Sequence, residues 1–344
     1  MWVNVRKCIA VLLLSTGWQW AQAQVQEDYL NAPDRIQWDA GGLYDGRFDD
    51  GTPFQIELAY PRPESVPARA WQKFTPVVWL PRNYKGTPAE LLNIGGADMP
   101  VRLAVAREPG LASDEIYTVT LTPDLMSGKG VWSGPDKVGQ RKFTLRRRLP
   151  YVGIVVARPA PSDLAAYSSY YRQKGFAFSA FFPVVGDPGA DAWIRQQAGT
   201  CHDTGECANT VRVVWHSASL LSLKAVAWGD SGGAHGLGHS ETRQYRIRAG
   251  AMTPLGLDDF IELGPGCREK VSAAIVDGLR SKNMSWPEKA GLDAGRAVRF
   301  TPALGGIAFH YDSYEAGPYA EGTPTVFVPR EAMAACVRYL PDED

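Results

Sequence analysis

The sequence predicts an α+β protein in which an N-terminal antiparallel β-rich domain, a meander or a small barrel, precedes an α+β domain with an antiparallel sheet and two helices. Short β-type runs broken by Gly, Pro and Asp fill the first half, and the second half mixes strands with segregated helical segments. We expect a signal peptide at residues 1–23, a β-rich domain of unknown function at 24–158 and the α+β domain at 159–344.

The first residues are typical of an export signal. Arg6 and Lys7 precede an apolar run from Ile9 to Leu14, and Ala21-Gln-Ala follows as a cleavage signal. The apolar run is far shorter than the roughly 20 residues that cross a bilayer. Cys8 precedes this run and therefore does not fit a lipidated cleavage site. We expect an exported protein, periplasmic or extracellular, without a membrane anchor.

The charge balance argues against two classes of partner. The chain has 36 basic and 37 acidic side chains and a formal charge of −1. Loss of the leader with Arg6 and Lys7 makes the balance slightly more acidic. A nearly neutral chain of this kind does not favour nucleic acid or an anionic membrane surface. The sequence predicts no cofactor.

The cysteines fit an oxidising compartment. Cys201, Cys207, Cys267 and Cys336 form an even set after the leader, which indicates two disulfides. The short loop between Cys201 and Cys207 favours a local pair, which leaves Cys267 with Cys336. The last two lie on apolar helix faces, as a disulfide that ties two elements to one core requires.

The strands of the first domain are predicted from short apolar runs between turn residues. These runs are Phe54–Leu58, Pro76–Leu80, Val101–Ala106, Tyr117–Leu121, Gly130–Trp132 and Lys142–Arg146. The Pro-rich stretch that begins at Arg158 predicts the domain boundary.

In the second domain, residues Val211–Trp215, Leu220–Trp228 and Thr242–Ile247 have strand composition. A helical period then begins near Cys267 and continues to Lys282, with apolar residues at four-residue spacing. A last short helix is predicted after Pro329. These elements complete the predicted α+β domain.

One motif raises the possibility of hydrolase chemistry. Gly229-Asp-Ser-Gly-Gly matches the nucleophile motifs of two hydrolase classes, and Ser231 with Asp258 or Asp259 and His310 has the chain order of an α/β-hydrolase triad. However, a nucleophile elbow lies between a strand and a helix, whereas more glycines and a strand-like run follow Ser231. We therefore predict a glycine-rich turn without a catalytic role and keep the triad as the alternative.

Two histidines offer a metal site as a further alternative. His235 and His239 are four residues apart, a spacing that directs both rings at one metal when the segment is helical. The intervening Gly-Leu-Gly does not favour a helix, although Glu241 and His310 could complete a ligand set. We predict a polar turn with no metal.

Tyrosines and acids alternate near the C-terminus. Tyr311, Tyr314 and Tyr319 lie close in sequence to Glu315 and Glu321 on a loop rich in Gly and Pro. Such a loop can stack on sugar rings or contact a basic protein surface. The alternative is that these residues cover the edge of a sheet.

Several of these segments resemble a known domain family. The quoted segments are Gly232-Gly-Ala-His-Gly, Leu257-Asp-Asp-Phe, Phe309-His-Tyr-Asp-Ser-Tyr-Glu and Gly317-Pro-Tyr-Ala-Glu-Gly. In their order they resemble the C-terminal domain of the extracytoplasmic anti-sigma factor that senses lysozyme, a domain also found beside some peptidoglycan deacetylases. The resemblance covers roughly residues 170–333.

The resemblance implies a non-catalytic domain that binds a lysozyme-like protein or a peptidoglycan glycan. The chain lacks a transmembrane helix and a sigma-binding segment in its sequence, so signalling by regulated cleavage is not implied. Residues 24–158 resemble no family. We therefore expect an exported envelope protein that binds through Gly233, His235, Tyr311, Tyr314, Glu315, Tyr319 and Glu321.

Overall fold

A computed structural model places 11 segments of the chain. They are residues 36–38, 41–59, 77–79, 88–94, 100–108, 111–135, 139–159, 177–199, 206–230, 235–292 and 298–341. The predicted signal peptide, Cys201, Ser231 and Gly233 lie outside the described residues.

Strand β1 (Ile36–Trp38) is part of a large open sheet, and the eight strands after it close into an antiparallel barrel. Each strand pairs with the next along the chain, and the last pairs with the first. The barrel strands are β2 (Gly41–Phe48), β3 (Pro53–Ala59), β4 (Val77–Trp79), β5 (Pro88–Asn93), β6 (Val101–Glu108), β7 (Leu111–Leu121), β8 (Ser127–Ser133) and β9 (Gln140–Pro150).

Side chains that alternate along the strands fill the barrel interior. Tyr44, Phe54 and Tyr117 are almost completely buried there, and the ring of Phe143 packs edge-on against that of Phe54 at 5.3 Å between centroids. The small barrel offered as one form of the first domain is therefore the form observed.

The second sheet has seven strands in the order β1–β10–β11–β12–β13–β14–β15. All neighbours are antiparallel except β11 and β12, which are parallel. Its further strands are β10 (Val152–Pro159), β11 (Ala177–Val184), β12 (Glu206–His216), β13 (Leu220–Asp230), β14 (Leu237–Arg248) and β15 (Ala251–Leu255). The predicted division at residue 158 stays a prediction, although β1 and β10 both pair within this sheet.

A parallel strand pair needs a crossover, and helix α1 (Pro188–Gly199) supplies it between β11 and β12. The sequence prediction missed this helix. Trp193 and Ile194 of the helix are buried in one core with Phe181 and Val211 of the sheet. Burial of this apolar face is what fixes the helix on the sheet.

The C-terminal part contains a three-stranded antiparallel sheet covered by helix α2 (Pro265–Arg280). The strands are β16 (Arg299–Ala303), β17 (Gly306–His310) and β18 (Thr325–Pro329), and a short helix α3 (Arg330–Met333) follows. Val271, Ile275 and Leu279 of α2 are fully buried, which confirms the predicted apolar face. The α+β class is likewise confirmed, with α1 as an element beyond the two predicted helices.

The disulfide between Cys267 and Cys336 is present, with its Cα atoms 5.5 Å apart. It joins the first turn of α2 to the turn after α3. Cys207 is disulfide-bonded as well, while its predicted partner Cys201 is not among the described residues. No helix within the described segments has the length and apolar character to span a membrane.

Candidate functional site

Three aromatic side chains predicted as binding residues come together on one surface. The imidazole of His235 lies nearly parallel to the ring of Tyr319, with centroids 3.7 Å apart and an angle of 15° between the planes. Tyr314 completes the group, 6.1 Å from Tyr319 and 6.2 Å from His235 between centroids. We call His235, Tyr314 and Tyr319 the aromatic cluster.

Tyr314 is held in an unusual backbone conformation. Its φ is 72°, in the left-handed region that bulky residues avoid. Its side chain is 49% exposed, and its hydroxyl lies 3.0 Å from Nε2 of His235. A strained residue of this kind persists only where its surroundings fix it, and such residues concentrate at binding and catalytic sites.

The loop that carries the tyrosines is fastened to strand β14 by Asp312. This carboxylate accepts hydrogen bonds from the backbone N–H of Ser240 at 3.0 Å and from its hydroxyl at 2.6 Å. Asp312 also lies 2.8 Å from Nδ1 of His239 and 3.6 Å from Nη1 of Arg299. Asp312 therefore ties the loop after β17 to the start of β14, beside His235.

The two predicted binding acids have partners inside the chain. Glu315 pairs with Arg299 and accepts a 2.7 Å hydrogen bond from the backbone N–H of Asp312. Glu321 accepts hydrogen bonds from the backbone N–H of Ser285 at 2.8 Å and from the Ser285 hydroxyl. These carboxylates hold the loop in shape. Their predicted contact with a partner stays a prediction.

Tyr311 differs from the other two tyrosines. Its ring packs at the edge of the C-terminal core, and its hydroxyl donates a 2.8 Å hydrogen bond to the carbonyl of Ala290. Tyr311 is therefore held against the C-terminal core, and its predicted binding role stays a prediction. Tyr314 and Tyr319 belong to the aromatic cluster.

His310, Asp258 and Asp259 of the alternative hydrolase site each have hydrogen-bond partners outside that site. His310 is almost fully buried, and its Nε2 lies 2.8 Å from the Thr301 hydroxyl while its Nδ1 lies 3.1 Å from that of Thr325. Burial lowers the pKa of His310 well below its usual value, and the charges of Lys224 and Arg299 lower it further. Burial and the two nearby cations thus keep His310 neutral, and its ring nitrogens contact two threonine hydroxyls. Ser231 lies outside the described residues.

The two aspartates of that alternative lie at the turn after β15. A carboxylate oxygen of Asp259 accepts a 2.9 Å hydrogen bond from the backbone N–H of Gly256. The backbone carbonyl of Asp258 accepts a hydrogen bond from Arg338 at 3.1 Å. Asp259 thus closes its own turn, and the triad stays an untested prediction.

The two histidines of the metal alternative have different environments. His239 lies between two carboxylates, with Nε2 2.9 Å from Glu241 and Nδ1 2.8 Å from Asp312. His235 contacts the two tyrosines instead. Among the described residues no group of three or more His, Cys, Asp or Glu side chains has a metal-binding arrangement.

A family model matches residues 268–331, and its description is "Protein of unknown function (DUF3298)". The C-terminal part of the chain thus carries a DUF3298 domain. The match includes most of α2, the three-stranded sheet, Tyr314 and Tyr319. Comparison with curated proteins gave no match.

Two solved structures of DUF3298 proteins are similar to this chain. A protein from Pseudomonas aeruginosa PAO1 is 16% identical, with a TM-score of 0.42, over 56% of this chain and 95% of that protein. A protein from Bacteroides fragilis NCTC 9343 is 17% identical, with a TM-score of 0.38, over 56% of this chain and 95% of that protein.

Sequence reasoning missed the residues that position the cluster. Asp312, Arg299 and Ser240 hold the loop but come from three different segments. Asp312 stands inside the quoted segment His310-Tyr-Asp-Ser-Tyr-Glu, so its position was available in the sequence. Its partners were not, because they approach only in the folded chain.

Proposed function

We propose that this chain is a non-catalytic, exported protein of the cell envelope and that the aromatic cluster binds a peptidoglycan glycan. The observation that carries the proposal is the exposed, strained Tyr314 beside the stacked pair His235 and Tyr319. A fixed group of partly exposed aromatic rings is the kind of surface that proteins use for recognition.

The chemistry of the cluster suits a sugar. The faces of tyrosine and histidine rings present apolar area to the C–H groups of a pyranose, while the phenol and imidazole edges exchange hydrogen bonds with its hydroxyls. The strained loop holds Tyr314 in one orientation, so less conformational entropy is lost on binding.

The acids favour a glycan over a basic protein as the target. A basic muramidase needs exposed carboxylates on the surface that it contacts. Glu315 pairs with Arg299, and the carboxylate of Glu321 accepts two hydrogen bonds from Ser285, so both carboxylates already make contacts within the chain. The aromatic rings of the cluster retain exposed area for a neutral ligand.

Export is part of the proposal. The leader pattern at residues 1–23 and the Cys267–Cys336 disulfide support it, because disulfides persist in oxidising compartments. The resemblance to the lysozyme-sensing domain supports a place near the cell wall, where both candidate targets occur.

The experiment is co-sedimentation of the purified mature protein with insoluble peptidoglycan sacculi. We expect retention of the wild type and a loss of about ten-fold in affinity for Tyr314→Ala, since an aromatic side chain at the centre of a contact contributes about 1–3 kcal/mol. Met126→Ala on the barrel is the matched control, because Met126 is 50% exposed and Tyr314 is 49% exposed.

Each of the following outcomes would overturn the proposal. The first is that sacculi do not retain the wild type. The second is that Met126→Ala weakens retention as much as Tyr314→Ala does. The third is that hen lysozyme, tested in parallel, binds through Tyr314 while sacculi do not, which would assign the same surface to a protein partner. Release of soluble sugar products by the wild type would instead indicate a hydrolase.

A further inference from the structure

We propose that a cleft between the barrel and strand β12 binds a small ligand that carries a carboxylate or phosphate group, with Arg146 and Arg148 as its cationic contacts. The cleft has a volume of about 380 Å³ and is lined by residues of β2, β3, β9 and β12. It shares no residue with the aromatic cluster, so the inference does not rest on the proposed glycan-binding function.

The barrel wall of the cleft comes from strand alternation. Tyr44 and Phe54 point into the barrel core, so their neighbours Asp45 and Gln55 point outward. On β9, the pairing with β2 shifts from Leu149 to Arg147, which leaves Arg148 as the extra residue of a β-bulge. Bulges redirect side chains and occur beside binding sites, and here the bulge residue lines the cleft.

The opposite wall is the end of strand β12, and Gln55 joins it to the barrel. The Gln55 side chain donates a 2.9 Å hydrogen bond to the carbonyl of His216 and a 2.8 Å hydrogen bond to Asp45. Gln55 is only 5% exposed, so this link is buried and fixes the spacing of the two walls. The fold therefore fixes the shape of the cleft.

Two buried ring nitrogens in this wall have no partner among the described residues. They are Nε1 of Trp215 and Nδ1 of His216, and both residues line the cleft. Trp215 is 4% exposed, and its indole nitrogen can only donate a hydrogen bond. A buried donor without a partner is costly, but neither nitrogen is accessible to solvent, so a ligand in the cleft would reach them only after this wall rearranges.

The charges that line the cleft are predominantly positive. Arg47, Arg146 and Arg148 face one carboxylate, Asp45, which lies 3.2 Å from Arg148. Arg146 is exposed and has no ion pair within the described segments. Burial, and secondly the charge of Arg148, lowers the pKa of His216 to about 4, so the imidazole is neutral at pH 7.

This chemistry selects an oxyanion. A guanidinium presents a planar fork of donors that matches a carboxylate or a phosphate, and Arg146 and Arg148 both line the cleft. Pockets for small molecules have volumes of about 300–1,000 Å³, so the cleft has the size for a compact anion. Carboxylate and phosphate ligands share an oxyanion group. Titration with one probe of each kind shows which of the two the cleft binds more tightly.

The test is calorimetric titration of the full mature chain with inorganic phosphate and, separately, with citrate, at low ionic strength. We expect at least one of them to bind with a Kd below about 1 mM. Arg146→Gln should weaken that binding about ten-fold, because it removes a charge-assisted contact. Arg146 is exposed, so its replacement should leave the fold intact.

Arg102→Gln is the matched control, because Arg102 is an exposed arginine on barrel strand β6, away from the residues that line the cleft. It should bind like the wild type, and so should Tyr314→Ala, which separates this test from that of the glycan site. Tighter phosphate binding assigns a phosphate ligand, and tighter citrate binding assigns a carboxylate. Binding of neither probe, or equal weakening by Arg102→Gln, would overturn the inference.

Discussion

The imidazole of His235 stacks on the phenol ring of Tyr319 and at the same time lies within hydrogen-bond distance of the Tyr314 hydroxyl. One side chain thus positions both tyrosines. It lies far from them in the sequence, since Tyr314 follows His235 by 79 positions. The cluster is therefore a product of the tertiary fold, with His235 at its centre.

We expect His235→Phe to retain most glycan affinity and His235→Ala to lose several-fold more. Both variants remove the contact with the Tyr314 hydroxyl, but phenylalanine keeps the stacking, which contributes about 0.5–1.5 kcal/mol and which alanine removes as well. Both contacts lie within the chain, so His235→Ala should also lower the free energy of unfolding by about 1 kcal/mol, whereas His235→Phe should lower it by less. Equal affinity of the two variants would contradict a stacking role.

The barrel is joined to the seven-stranded sheet by a buried ion pair. Glu57 is completely buried, lies 3.3 Å from Nη1 of Arg212 and accepts a hydrogen bond from the hydroxyl of Tyr151. We expect Arg212→Met to cost about 3–5 kcal/mol in the free energy of unfolding, because it leaves a buried carboxyl without its cation. Urea unfolding monitored by circular dichroism measures this change.

The control for this pair is Arg280→Met, which breaks exposed ion pairs with Asp277 and Glu288 and should leave the free energy of unfolding nearly unchanged. The double variant Glu57→Leu with Arg212→Met should recover stability relative to Arg212→Met alone. A cost for Arg212→Met as small as that for Arg280→Met would show that the buried pair does not stabilise the junction.

The pair of Glu57 and Arg212 also makes the free energy of unfolding depend on pH. Burial raises the pKa of Glu57, while Arg212, Tyr151 and the backbone N–H of Val213 oppose the rise. Since the folded-state pKa lies above that of the unfolded chain, the stability contribution is full below about pH 4.5 and declines as the pH rises. Loss of Arg212 raises this pKa further, so the destabilisation of Arg212→Met should grow as the pH rises past the folded-state pKa of Glu57 in the wild type.

His216 changes the stability of the protein with pH in the direction opposite to Glu57. Its pKa falls from 6.5 to about 4 in the folded protein, so protonation favours the unfolded chain. Stability is therefore full above about pH 6.5 and declines as the pH drops toward 4, by at most about 3 kcal/mol. The slope of unfolding free energy against pH should become smaller in His216→Asn but should not vanish, because burial lowers the pKa of His310 in the same direction. An unchanged slope would contradict this assignment.

A glycine in α2 is required for close packing. A Cβ atom at Gly278 would collide with Cγ1 of Val326 on β18. We expect Gly278→Ala to destabilise by about 1–3 kcal/mol, although alanine favours a helix by about 1 kcal/mol. Gly266→Ala in the same helix is the control, because nothing lies within 4 Å of its Cβ position. Comparison of the two melting temperatures tests the packing, and a Gly278→Ala variant as stable as Gly266→Ala would contradict it.

The alternating strands and the long amphipathic helix could be predicted because each carries its own pattern. All six predicted runs of the first half coincide with barrel strands, and α2 begins at Pro265, close to the predicted start. Strand β2 was missed because Gly41, Gly42 and Gly46 interrupt its composition. Local pattern therefore sufficed wherever side chains alternate without interruption.

Helix α1 was missed although its signal was present. Pro188 and Gly189 open the helix and favour a loop prediction, but Asp187 accepts a 2.9 Å hydrogen bond from the backbone N–H of Ala190 as an N-cap. An Asp-Pro pair before an apolar face is a helix start. The apolar residues Trp193 and Ile194 that follow complete the pattern.

The site could be predicted only in part. The tyrosines and His235 were identified from short segments that resemble a known domain, but the internal roles of Glu315 and Glu321 depend on Arg299 and Ser285, which the sequence does not place nearby. The arginine-lined cleft was not predicted either. Its run Arg146-Arg-Arg is visible in the sequence, but its second wall comes from β12.

The most direct test of glycan binding is a map of chemical-shift changes when a soluble peptidoglycan oligosaccharide is added to the isotope-labelled mature protein. We expect changes concentrated at His235, Tyr314 and Tyr319, with the cleft residue Arg146 unaffected. If the oligosaccharide binds but causes no changes at the aromatic cluster, this surface is not the glycan-binding site.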